Sequence, residues 1–144
     1  MYLLCLFALF LVGVVAPGRK QVDRCFNSEG LIDTMDIRAL AKGFYAPPQQ
    51  SYPLRPWSYQ YFDHGSMRIC VQNKYWTHAT HITSDAMGDA LMAIYRCCDP
   101  LDELCGGGYH QARGTTGIFL DVETKHNGED CEGHMGFLGS QVGE

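Results

Sequence analysis

Ser84-Asp85-Ala86-Met87-Gly88-Asp89-Ala90-Leu91-Met92-Ala93-Ile94-Tyr95-Arg96-Cys97-Cys98 is the clearest structural signal in the chain. Ser84 or Thr83 can cap a helix, and Asp85 complements the positive end of its dipole. Met87, Ala90, Leu91, Ile94 and Cys98 then form one apolar stripe at helical spacing. Asp99-Pro100 ends the helix. The stretch closes on two adjacent cysteines. A bond between neighbours demands a strained ring, so Cys97 and Cys98 are expected to pair outward.

Upstream, Thr34 can cap a second helix with Asp36 in its first turn. Ile37, Leu40, Ala41 and Phe44 share one face, and Gly43 is placed to stop it. Residues 46–56 hold Pro47, Pro48, Pro53 and Pro56, which exclude a regular helix or a central strand and predict an extended loop. Trp57–Phe62 and Met67–Gln72 read as a β-hairpin around the turn Asp63-His64-Gly65-Ser66. Met67, Ile69 and Val71 face one way; Arg68, Cys70 and Gln72 face the other. Tyr75–Ile82 is a weaker strand. Downstream, Cys105-Gly106-Gly107-Gly108 reads as a flexible loop and Thr115–Thr124 as the best strand. Asn27-Ser28-Glu29-Gly30 is a turn signal. The order predicts an α+β fold: a two-layer sandwich with an antiparallel sheet of about four strands and two helices on one face.

At the N-terminus, Leu3–Val15 is an apolar run of 13 residues without charge. It is too short to cross a bilayer core of roughly 30 Å as a helix. With Ala16-Pro17-Gly18 behind it, it reads as a signal peptide over residues 1–18, although Met1-Tyr2 supplies no basic residue. Removal leaves one disulfide-stabilised domain, 19–131, and a flexible Gly-rich tail, 132–144. The mature chain holds Cys25, Cys70, Cys97, Cys98, Cys105 and Cys131. An even count in a small exported domain reads as structural disulfides. A bond from Cys25 to Cys131 would tie the ends together, and Cys70 could pin the long helix through Cys97 or Cys98. The spacing leaves the connectivity open.

A formal charge of −5 argues against nucleic acid and against an electrostatic membrane anchor. No Asn-x-Ser/Thr sequon occurs, and neither C-x-x-C nor zinc-type spacing is present. No catalytic motif, metal or cofactor is expected. The histidines are His64, His78, His81, His110, His126 and His134. They read as solvent-facing, and His78 and His81, three apart on a strand, cannot easily chelate. The set to test for acid–base cleavage of RNA is His78 or His81 with Glu123 and Arg113. Gly106–Gly108 lacks the following Lys-Ser/Thr of a phosphate cradle. Aromatic residues flank the proline-rich loop and follow the hairpin. Tyr45, Trp57, Tyr59, Tyr75 and Trp76 are therefore the expected binding residues.

The leader, the six mature cysteines and the missing catalytic motif resemble small secreted cysteine-rich effectors of plant-pathogenic fungi. Length and cysteine number are similar to the avirulence proteins of the blackleg fungus of Brassica. A further resemblance is to killer-toxin-like and necrosis-inducing fungal proteins of two-layer α/β fold. It is carried by Met67–Gln72 with Cys70, Ser84–Cys98, Cys105-Gly106 and Gly117–Val122. The effector resemblance implies a non-enzymatic monomer, exported to the host apoplast or translocated into host cells. It implies a host protein as partner, with a plant resistance receptor as another. The alternatives are a killer-toxin-like antimicrobial protein, which the acidic charge disfavours, and a secreted hydrolase acting on RNA or a cell-wall polymer.

Overall fold

A computed structural model describes residues 24–26, 31–98 and 103–131. The leader, the Asn27–Gly30 turn, the Asp99-Pro100 stop, His134 and the 132–144 tail lie outside the described residues. In chain order the elements are β1 (Arg24–Cys25), β2 (Ile32–Asp33), α1 (Thr34–Tyr45), β3 (Ser51–Leu54), β4 (Ser58–His64), β5 (Met67–Asn73), β6 (Thr80–Thr83), α2 (Ser84–Tyr95), β7 (Leu104–Cys105), β8 (Gly108–Arg113) and β9 (Phe119–His126).

The alternation along β5 builds the centre. Met67, Ile69 and Val71 are fully buried. The expected hairpin forms, with Ser58 opposite Asn73 and His64 opposite Met67. Asp63 and His64 belong to β4, so the turn shrinks to Gly65-Ser66. Gly65 has a φ of 55°, and a Cβ there would come within 2.3 Å of the Asp36 carboxylate. Only glycine meets both conditions cheaply. Asp36 in turn accepts from the Ser66 amide and hydroxyl, each at 2.7 Å. Those bonds, the amide first, hold its carboxyl below the ordinary range and tie α1 to the hairpin.

On its other edge β5 pairs with β9, and the sheet runs β1-β8-β9-β5-β4, antiparallel throughout. The fold is α+β, but the sheet has five strands rather than about four. Two short ribbons, β2–β7 and β3–β6, stand beside it. Two strands of the sheet were unforeseen, the two-residue β1 and the longer β8. For β8 the reason is plain. Its inward residues, Gly108, His110 and Ala112, are small or polar, so it carries no apolar alternation to read. Cys105 and Gly108 lie in β7 and β8, not in a flexible loop. The strand expected from Thr115 starts at Phe119 instead, because the Gly114 amide bonds Ile118 O at 2.8 Å and closes a turn. Of Tyr75–Ile82, only Thr80 onward is strand. Its partner β3 lies inside the proline-rich segment. Pro53 is tolerated there because β3 pairs on one side only, with Pro53 opposite His81.

Both helices form where the apolar stripes place them, with small shifts at their ends. Asp33, not Thr34, caps α1 by accepting from the Met35 amide at 2.8 Å, and α1 continues through Gly43 to Tyr45. Thr83 caps α2, which ends at Tyr95, so Cys97 and Cys98 follow the helix rather than ride on it. Ile37, Ala41 and Phe44 of α1 and Met87, Ala90, Leu91 and Ile94 of α2 are buried with Leu120 and Val122 of β9 in one core. The helices cross closely at Gly88, where a Cβ would lie 2.7 Å from the Tyr45 ring. Phe44 meets Phe62 and Tyr52 edge-on, at 5.7 and 6.2 Å between centroids.

The disulfides are Cys25–Cys97, Cys70–Cys131 and Cys98–Cys105. Cys97 and Cys98 pair outward, as expected. Neither suggested long-range pairing occurs. Cys70 shares its parity with Arg68 and Gln72, so it points away from the helices and cannot reach Cys97 or Cys98; it takes Cys131. That leaves Cys25, on the edge strand β1, to pair with Cys97 just past α2.

The Cys70–Cys131 bond joins residues 61 apart. Replacing both with serine is expected to lower unfolding stability by about 2–4 kcal/mol. Urea denaturation reads this directly, and an unchanged midpoint would contradict the structural role.

Candidate functional site

Antiparallel register lines up the side chains that point away from the helices. One row crosses β4, β5, β9 and β8 as Tyr59, Gln72, Asp121 and Gln111. The next runs Tyr61, Cys70, Glu123, Tyr109 and Arg24. This face mixes aromatic rings with amides and charges, whereas the opposite face is the apolar core.

Asp121 is the hub of the outward face. Its Oδ1 accepts from Tyr109 Oη at 2.5 Å and from Gln111 Nε2 at 3.4 Å, and its Oδ2 pairs with Lys74. Burial, reinforced by the Asp121 carboxylate, pushes the Tyr109 phenol well above its usual range. Lys74, Tyr75, Tyr109, Gln111, Phe119 and Asp121 line an open cleft of about 380 Å³. A smaller recess of about 20 Å³ lies over Gln72, sharing Lys74, Tyr109 and Asp121 with the cleft. Two further cations on this face are engaged. Arg68 forks onto Asp63 at 2.6 and 2.8 Å and lies 4.3 Å from the Tyr61 ring centroid, and Lys125 donates to Asp130 O at 2.9 Å.

Beyond the end of β5 the chain builds an aromatic ridge. Trp57 and Trp76 stack with centroids 4.3 Å apart and planes 9° from parallel. Trp76 is 65% exposed. Trp57 adopts a φ of 51°, a left-handed conformation that costs a residue with a side chain about 1–3 kcal/mol. Its amide donates to Tyr75 O at 2.9 Å. Asn73, wholly buried, holds this geometry. Its Nδ2 donates to Arg55 O at 3.0 Å and His78 O at 2.7 Å, and its Oδ1 accepts from the Tyr75 amide at 3.1 Å. One side chain therefore fixes both segments of the ridge.

Of the five expected binding residues, the structure gathers Trp57, Tyr75 and Trp76 into the ridge. Tyr59 lies on the outward sheet face, beside the Gln72 recess. Tyr45 stands apart. It closes the end of α1 against α2 and donates to Asp89 at 2.8 Å, and burial with that carboxylate pushes its phenol up to about 12. The histidine set is dispersed. His81 lies on the β3–β6 ribbon, His78 in the ridge loop, Glu123 on β9 and Arg113 at the end of β8. His110 is a correction to the solvent-facing reading: it is 7% exposed, on the core side of β8. Among the described residues, no three His, Cys, Asp or Glu side chains cluster as a metal site.

Asn73, Gln72, Lys74, Tyr109, Gln111, Phe119 and Asp121 carry the site without having been singled out from sequence. For Gln72 a signal was present, because its outward parity on β5 was already legible. For the β8 residues none was, since that strand itself was unrecognised.

Two outcomes follow. Asn73→Ala removes three buried hydrogen bonds at about 1 kcal/mol each. It is expected to lower stability and to separate the tryptophan stack, seen as a change in near-ultraviolet circular dichroism; an unaltered spectrum would deny Asn73 its positioning role. The raised Tyr109 phenol means the fold favours the protonated form. Its contribution is complete below pH 10 and fades as pH rises beyond it. Tyr109→Phe should flatten this alkaline loss of stability in urea titrations; an equally steep loss would exclude Tyr109 as its source.

No family model matches the chain, and no curated protein matches its sequence significantly.

Proposed function

We propose that this protein is an exported, disulfide-locked binding protein without catalytic activity. It acts as a virulence or avirulence effector of a plant-pathogenic fungus and engages a host protein through the Trp57–Trp76 ridge. Three disulfides fit an oxidising destination such as the apoplast. No helix among the described residues is long and apolar enough to cross a membrane.

The exposed tryptophan stack is the observation that carries the reading. Folding gains little from leaving Trp76 mostly in water, yet the chain accepts an unfavourable Trp57 backbone and spends a buried asparagine to present it. Rigid aromatic area supplies contact surface at low entropic cost, as interface hot spots do.

Immobilised protein is expected to retain a specific component of host apoplastic fluid or host extract. Trp76→Ala should lose most of that component, and Met35→Ala, a change at an exposed residue on α1, should retain it. Full retention by both Trp57→Ala and Trp76→Ala would remove the ridge as the contact surface.

A further inference from the structure

The Tyr59–Gln72–Asp121–Gln111 row contains two amides and one carboxylate in line across adjacent strands. Gln72 is its most informative member. It is 8% exposed, and among the described residues its Nε2 has no hydrogen-bond acceptor. An unpaired buried donor costs about 1–3 kcal/mol, so it marks a position where an acceptor from outside the fold is favoured. The recess over Gln72, about 20 Å³, has room for one oxygen. Because it shares Lys74, Tyr109 and Asp121 with the larger cleft, a ligand in the cleft can project an oxygen toward Gln72.

We infer that this cleft binds a neutral saccharide. Charge selects against the alternatives. An anion would need an unengaged cation in the lining, but Lys74, the one cation that lines the cleft, already pairs with Asp121. A cation would need an unengaged carboxylate, but Asp121 already accepts from Tyr109, Gln111 and Lys74. An apolar ligand would leave Gln72 Nε2 unpaired. A sugar ring meets all three conditions. Its hydroxyls both donate and accept, so they can serve Gln72 and the remaining lone pair of Asp121. Its C–H face can lie on the rings of Phe119 and Tyr75 that line the cleft. The 380 Å³ volume lies within the roughly 300–1,000 Å³ usual for small-molecule sites. This site is distinct from the tryptophan ridge, which it meets at Tyr75, and it stands whether or not the ridge holds a protein.

The test is an NMR titration of isotopically labelled protein with cellohexaose, chitohexaose and laminarihexaose, and with hexagalacturonate as the charged comparison. At least one neutral oligosaccharide is expected to give saturable shifts at Gln111, Phe119 and Asp121. Phe119→Ala and Gln72→Met should each weaken that binding about tenfold. Trp76→Ala should leave it unchanged while losing the host component, which separates this inference from the protein-binding proposal. No saturable shift with any neutral sugar would overturn it. So would binding of hexagalacturonate alone, which would point instead to Arg113 beside Phe119, or undiminished binding in both cleft variants.

Discussion

Neighbouring residues of a strand face opposite sides of a sheet, so burying Met67, Ile69 and Val71 commits Arg68, Cys70 and Gln72 to the other side. Much else in the molecule depends on that parity. It assigns the helices to one face, because only that face of β5 is apolar. It also denies Cys70 any route to α2. Through β9 the same register places Asp121 beside Gln72 and Glu123 beside Cys70. A slip of one residue would bury an arginine and a glutamine against the helices and expose three large apolar side chains, so the register is strongly specified.

The cysteines reinforce this arrangement from its margins. Cys25–Cys97 joins the edge strand β1 to the chain just past α2, and Cys98–Cys105 joins the next residue to β7. Two adjacent cysteines thus anchor the end of one helix to two different pieces of sheet. Cys70–Cys131 covers the outward face of β5 instead. The core of Ile37, Phe44, Ile69, Val71, Met87, Leu91, Ile94, Leu120 and Val122 is large enough to drive folding. The bonds act mainly on the short outer elements β1 and β7, which bury little apolar area of their own and would otherwise fray.

What the sequence revealed followed from how strongly each segment carries a period. The stripes of α1 and α2 and the alternation of β5 are strong local signals, and those elements appear within a few residues of their expected bounds. β8 was invisible because Gly108, His110 and Ala112 offer no apolar face, although β9 and α2 both pack against that strand. β3 was masked by Pro53, which is excluded from a central strand but not from a ribbon edge. The site divides in the same way. Trp57, Tyr75 and Trp76 stand out by residue type, whereas Asn73 reads as an ordinary polar residue until its three partners are known. Tyr109, Gln111 and Asp121 come together only through strand pairing, which no local pattern encodes.

The two surfaces beside Tyr75 differ in how they are held. The cleft rests mainly on β8 and β9, each flanked by strands on both edges and backed by the core, so the polar groups on these strands are fixed before any ligand arrives. Preorganisation of that kind reduces the ordering cost of binding. The ridge sits on irregular chain and depends on Asn73 and on the Trp57 backbone for its shape. The one buried unpaired donor of the polar row detracts from stability, and so does the left-handed Trp57. Local departures of this kind concentrate where a surface serves something other than folding. Both lie on the outward side or end of the sheet, and neither on the helix-covered face, where every large side chain is already spent on the core.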